Sequence, residues 1–315
     1  MDTSLEKSPL LLARFTRSLE IKGRSANTVR INLRGALAFL DYVKKEEKIE
    51  DLKEADQALL SRYQSFLFRS PKHYRLTTQL GLLIALRNFF RFLEQENLIL
   101  RNPALQMELP KKPRTLPLDT LSEKEMKRLF KAVDMDRPLG LRDRAILELL
   151  YSTGVRAGEL ASLKVFDLDP GTRLLKIRQG KGAKERVVPV GEVALHYILL
   201  YLNQERPGLL KDSSSANGRS EEETLFLTKK GRRMSAANPT QIVKTYAKRA
   251  GIERMTNSHM IRRSCATHML RRRAPIRYIQ ELLGHRSLDT TERYTRVVIQ
   301  DLKKIHHKTH PRELD

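Results

Sequence analysis

Between residues 8 and 96, apolar side chains return every three or four positions, the spacing of α-helices that each bury one face. The stretch SANTVRINLRGALAFLDYVKKE opens on a Ser25, Asn27, Thr28 cluster suited to capping a first helical turn. Val29, Leu33, Leu37 and Leu40 then mark the face it is expected to bury. After the break at Ser70-Pro71, TTQLGLLIALRNFFRFLEQENLI repeats the pattern, with Leu83, Leu86, Phe89, Phe90 and Leu93 expected inside. The N-terminal part therefore reads as a bundle of about four helices.

The periodicity stops at NPALQMELPKKPRTLPLDTLS. There Pro103, Pro110, Pro113 and Pro117 forbid continuous helix and favour an extended tether, placed at 108–118. A helix restarts at Ser122, with Glu125 three residues on in the pattern of a capping box. LRDRAILELLYSTGVRAGELASLK predicts helix, turn at Thr153-Gly154, helix, and RLLKIRQGKGAKERVVPVG alternates like a hairpin turning at Gly180-Lys181-Gly182. The polar run KDSSSANGRSEEE at 211–223 reads as a disordered surface loop, LFLT at 225–228 as a short strand, and Asn238 to His306 as helical again. The expected fold is mainly α with a small β-sheet: a helical domain at 1–107, a linker at 108–118 and an α+β domain at 119–315.

Composition adds charge to this outline. Sixty Lys and Arg against 37 Asp and Glu leave the 315-residue chain at +23, of which +5 falls in 1–110 and +18 in 111–315. Such an excess repels itself unless a polyanion is the usual partner, and that partner should press hardest on the C-terminal part. The single cysteine, Cys265, excludes a disulfide framework and a multi-thiolate metal site within one chain. The apolar runs fall short of the ~20 residues needed to span a bilayer, so a cytoplasmic protein is expected. With 6% aromatics and no Trp, binding by base stacking is disfavoured.

Candidate chemistry is scattered along the second half: Arg156, Lys181, His259 with Arg262, His285 and Tyr294. His259 and Arg262 lie three apart on a predicted helix and leave the same face. A phosphodiester suits this set, because two guanidiniums pair bidentately with phosphate oxygens and hold charge as it builds at phosphorus. Tyr294 is the candidate nucleophile, its phenol made competent by nearby cations, and Lys181 at a hairpin tip can protonate the departing sugar oxygen. Transfer to tyrosine conserves the phosphodiester linkage, so the scheme calls for no cofactor, ATP or metal. Taken singly, each residue has a plainer reading: Arg156 as an ion pair with Glu159, His259 as a satisfied histidine, Lys181 as a solvated lysine, Tyr294 as a half-buried helix residue.

Taken in order, TGVRAGEL, GKGAKERVVPVG, HMIRRSCATHML and LLGHRSLDTTERYT resemble the signature of the tyrosine recombinases, in the branch of the Xer-type proteins and the phage and transposon integrases. The N-terminal helices, ending in ALRNFFRFLEQENLILRNPA, resemble the SAM-like core-binding domain of that family, and DLKKIHHKTHPR resembles Xer C-termini. The resemblance implies a catalytic α+β domain with a C-terminal exchange helix. It assigns Arg156 and Arg262 to the scissile phosphate, Lys181 to leaving-group protonation and His259 to proton transfer. It further assigns His285 to bonding the phosphate or buttressing the site, Tyr294 to the 3′-phosphotyrosine and Glu159 to a supporting role. Arg263 and Cys265 stand where relatives frequently carry His and Phe, a difference of packing more than of chemistry.

The function so implied is site-specific DNA recombination, in a protein either Xer-like or belonging to a mobile element. A duplex recombination site is the expected partner, with four protomers, identical or paired with a paralogue, assembling on two sites through the tail from Gln300 onward. An accessory DNA translocase is a further partner that the resemblance admits. No arm-binding domain precedes residue 8, which disfavours a lambda-type integrase. The rivals are a non-catalytic DNA-binding protein of the same fold and a type IB topoisomerase. His306, His307 and His310 read as part of a basic packing tail rather than as metal ligands.

Overall fold

The computed structural model describes residues 4–5, 8–69, 74–110, 120–178, 185–211, 223–284 and 305–313. The chain divides into two compact units, Met1–Leu116 and Pro117–Asp315, and most of the proposed tether, residues 111–118, lies outside the described residues.

The first unit holds α1 (Ser8–Ile21), α2 (Ala26–Tyr42), α3 (Gln57–Arg69) and α4 (Leu76–Gln95), with a π-turn at Val43–Glu47 and a 3-10 turn at Leu52–Glu54. Ser25 caps α2 by accepting the Thr28 backbone N–H at 3.3 Å. Leu83, Leu86, Phe89, Phe90 and Leu93 are buried as expected and join Phe15, Phe39 and Tyr63 in an aromatic core. The inner face of α2 differs from the expectation. Leu33 is half-buried and Leu37 is 47% exposed, while Val29, Asn32, Gly35, Ala36, Phe39 and Leu40 face inward. The reason is steric: a Cβ on Gly35 would lie 2.3 Å from the Ala85 Cβ, so α2 and α4 meet along small side chains, and the larger leucines sit to the side of that seam.

The second unit is built around α6 (Gly140–Thr153), a helix buried on nearly every face between α8 (Glu192–Leu200) and α11 (Ser258–Arg271). Before it comes α5 (Glu123–Lys131), and the Ser122–Glu125 capping box forms as expected. After it, Gly154 ends α6 in a left-handed conformation at φ +59° and α7 (Ala157–Ser162) begins. A three-stranded antiparallel sheet follows, ordered β1 (Leu168–Asp169), β2 (Leu174–Ile177), β3 (Arg186–Pro189). β2 and β3 are the expected hairpin arms, whose turn at 180–182 lies outside the described residues. The strand expected at LFLT is replaced by isolated bridges, Lys164 with Thr224 and Leu227 with Arg233. Leu225, Phe226 and Leu227 are all buried, so this run serves the core and not the sheet. Of the polar run at 211–223, residues 212–222 lie outside the described residues.

α8 runs through a π-turn at Tyr201–Glu205 into α9 (Arg206–Lys211), and α10 (Asn238–Arg249), α11 and α12 (Ile276–Leu283) complete the helical layer. The helical period read from Asn238 onward is thus divided by turns at 250–257 and 272–275. The Asn257 side chain caps α11 by accepting the Met260 N–H at 2.9 Å. A last short helix at 305–309 lies on α6 of the same chain, where His306 and His310 donate to the Ser152 and Tyr151 carbonyls at 2.7 and 2.9 Å. Arg312 clasps the buried Glu148 through two nitrogens, at 2.8 and 3.1 Å. No described helix is long and apolar enough to cross a membrane.

Candidate active site

The turn that ends α6 builds the site. Gly154 reverses the chain, Arg156 becomes the residue before α7, and the Glu159 carboxylate reaches back to accept the Arg156 N–H at 2.9 Å and its guanidinium at 2.7 Å. The plainer reading of Arg156, an ion pair with Glu159, is therefore real, yet it leaves the outer nitrogen pointing elsewhere. Arg156 Nη2 lies 3.4 Å from the Gly284 carbonyl, at the C-terminal end of α12.

Arg262 arrives from α11, 106 positions away in the chain, and converges on the same two turns. It is buried, donating through Nη1 to the Gly154 carbonyl and through Nη2 to the Leu283 carbonyl. Helices end in unpaired carbonyls and a partial negative charge, so α12 presents to the two arginines a weak version of an anion. His259, one turn before Arg262, is exposed on the same helix. Lys181, His285 and Tyr294 lie outside the described residues; His285 directly follows Gly284, whose own carbonyl faces Arg156.

One arginine escaped the sequence reading. Arg186, the first residue of β3, holds Glu159 in a fork of 3.0 and 2.8 Å and places its Nε 3.4 Å from the Leu282 carbonyl. A signal for it exists in the alternation of RVVP. Arg186 shares a strand face with Val188, which is fully buried, and is paired across the sheet with the buried Ile177. A charged residue at an inward register needs a partner, and Glu159 is that partner.

Two guanidiniums thus bind one carboxylate, and that of Arg262 is near enough to feel its charge. Burial alone would raise the Glu159 carboxyl, but the hydrogen bonds from Arg186, then those from the Arg156 backbone and side chain, bring it down to about 2. Burial and the charge of Arg156 lower Arg262 to about 10, which leaves it cationic at neutral pH. Burial, then Arg262 and Arg156, lower His259, so its ring is neutral at pH 7 and able to accept a proton. Chemically, among the described residues this cluster carries two positive charges in excess, suited to a singly charged tetrahedral anion and to the added charge of a five-coordinate phosphorus.

Residues 119–300 match the phage integrase family, and residues 12–97 match the phage integrase N-terminal SAM-like domain. The chain belongs to the phage integrase family, the tyrosine recombinases, which cleave and rejoin DNA in site-specific recombination. It is 42% identical over 313 residues to tyrosine recombinase XerC 2 of Ralstonia nicotianae, covering 97% of this chain and 88% of that protein. It is 36% identical over 292 residues to tyrosine recombinase XerD of Oceanobacillus iheyensis, covering 92% and 94%. Among solved structures it is similar to the XerH site-specific recombinase bound to its difH substrate in a pre-cleavage complex. That likeness has a TM-score of 0.67 at 23% identity and covers 96% of each chain, and it agrees with the mainly helical two-part fold.

Proposed function

We propose that Arg156 and Arg262 hold the scissile phosphate of a duplex recombination site and that Tyr294 attacks it. The phenol oxygen bonds to phosphorus, the bond from phosphorus to the 5′ oxygen breaks, and a 3′-phosphotyrosyl linkage forms. The 5′ alkoxide takes its proton from Lys181, and neutral His259 relieves the tyrosine of its own. His285, next after the α12 carbonyls that the arginines contact, is the further phosphate ligand, and Glu159 keeps Arg156 in place. Rejoining is the same step in reverse, with a 5′-hydroxyl as attacking group.

The observation that carries this reading is the convergence of Arg156, from the turn before α7, and Arg262, from α11, on the neighbouring carbonyls of Gly284 and Leu283. In the sequence, Gly284 stands one residue before His285 and ten before Tyr294. The test uses Tyr294→Phe on nicked duplexes captured from a random-sequence pool. The variant should bind as the native chain does and form no protein–DNA adduct, while a surviving adduct rejects Tyr294 as nucleophile.

At the scale of the assembly, residues 1–107 are the core-binding half and 119–315 the catalytic half, acting on cytoplasmic DNA. Two pairs of protomers join two sites through exchange of the C-terminal segment. The contacts made within one chain by His306, His310 and Arg312 support this, since a neighbour's segment could make the same ones. A translocase that acts on such an assembly would contact the same C-terminal half.

A further inference from the structure

The arginine that the sequence reading passed over has more to do than neutralise a buried acid. We propose that Arg186 is a positioning residue of the cleavage reaction: it saturates Glu159, so that Arg156 is both aimed at the phosphate and left with its charge uncommitted. This deepens the proposed function and rests on it.

The geometry is complete on the carboxylate. Glu159 Oε1 accepts from Arg156 Nη1 at 2.7 Å and from Arg186 Nη1 at 3.0 Å; Oε2 accepts from the Arg156 N–H at 2.9 Å and from Arg186 Nη2 at 2.8 Å. Two donors per oxygen fix the carboxylate plane, and that plane fixes the fork of Arg156. The side chains of Glu159 and Arg186 are 3% and 13% exposed, so water does not substitute for either partner. Without Arg186, Glu159 would balance Arg156 charge for charge, and only Arg262 would remain to meet an anion. With it, the described cluster keeps two charges in excess, and among the described residues Arg156 Nη2 makes only the long 3.4 Å contact to Gly284.

Arg186 also ties together three segments that the reaction needs at once. It lies on β3, five positions after Lys181; it binds Glu159 on α7; and its Nε reaches the Leu282 carbonyl. A Cβ on Gly284 would stand 3.0 Å from Arg186 Cδ, so the arginine also packs closely against the glycine that ends α12. A lysine cannot do the same work: one ammonium supplies no fork and cannot hold both carboxylate oxygens in plane.

The experiment measures adduct formation on the nicked duplexes described above, with DNA affinity and melting temperature determined for every protein. Arg186→Lys should melt and bind DNA as the native chain does, yet form the adduct about 100-fold more slowly, the scale of an ångström's misplacement at a reacting centre. Because Arg186 acts through Arg156, the double variant Arg156→Lys/Arg186→Lys should be no slower than Arg156→Lys alone. A native rate in Arg186→Lys, or losses that multiply in the double variant, overturns the assignment.

Should Arg186→Lys melt early, Glu159→Gln/Arg186→Met removes the buried charge together with its partner. A stable but slow protein supports the positioning role, and recovery of the native rate overturns it. Failure of the native chain to form any adduct would overturn the proposed function itself and Arg186 with it, an outcome distinct from the others.

Discussion

At Glu159 one buried carboxylate faces two guanidiniums, and its protonation state carries a pH signature. Its folded value of about 2 lies below the ordinary 4.5, so the unfolded chain takes up the proton first. The stabilisation is complete above the ordinary value and fades as pH falls from there towards about 2. Glu159→Gln should therefore be less stable than the native chain at pH 7, by on the order of 2 kcal/mol, and the gap should narrow between pH 5 and pH 3 in urea titrations. Gly154 is the other exacting residue, since its φ of +59° disfavours a side chain and a Cβ would lie 2.6 Å from Leu283 Cδ2. Gly154→Ala should lower stability by about 1–2 kcal/mol in thermal unfolding, and should slow cleavage as well, because the Gly154 carbonyl anchors Arg262.

At the scale of the element, some features were open to a reading of the sequence and others were not, for identifiable reasons. The Ser122–Glu125 box is a local pattern of hydrogen bonds within one turn, visible in the sequence and present in the fold. Ser122→Ala should cost about 1 kcal/mol in thermal unfolding. His259 and Arg262, three apart on α11, are legible for the same reason. The inner face of α2 was not, because counting large apolar residues overlooks Gly35 and Ala36, which lie on the helix–helix seam. Gly35→Val should destabilise the chain by about 2 kcal/mol or more in the same measurement, whereas Leu37→Ala, at an exposed position, should leave it nearly unchanged. The LFLT run has the composition of a strand, yet whether it pairs depends on which edge it meets, and it meets a core.

For the molecule as a whole, the C-terminal segment gives a further handle. His310, just after the 305–309 helix, is buried against α6 beside His306, Arg312, His268 and Tyr151, with Glu148 one hydrogen bond beyond Arg312. Burial, then the neighbouring His306, hold its ring well below the ordinary 6.5, so the undocked segment takes up the proton first. Docking is therefore strongest above the ordinary histidine value and weakens as pH falls below it. Amide exchange across 305–313, corrected for intrinsic rates, should accelerate between pH 7.5 and 5.5 more than exchange in α6 does; equal changes would contradict this. DNA affinity should fall steeply with added salt, as the +18 carried by residues 111–315 requires.

The sequence by itself determined the helical period, the proline-rich break, the caps, the charge excess and the order of the residues with chemistry to offer. All of these are local along the chain or are sums over it. Only the tertiary structure decided that Arg156 and Arg262 address one spot, and that Arg156 shares its acid with a third arginine. The physical reason is that electrostatic partnership falls off within a few ångströms. Residues 27 and 108 positions apart become partners only when a left-handed turn, an inward strand register and the end of a short helix bring them within hydrogen-bonding reach.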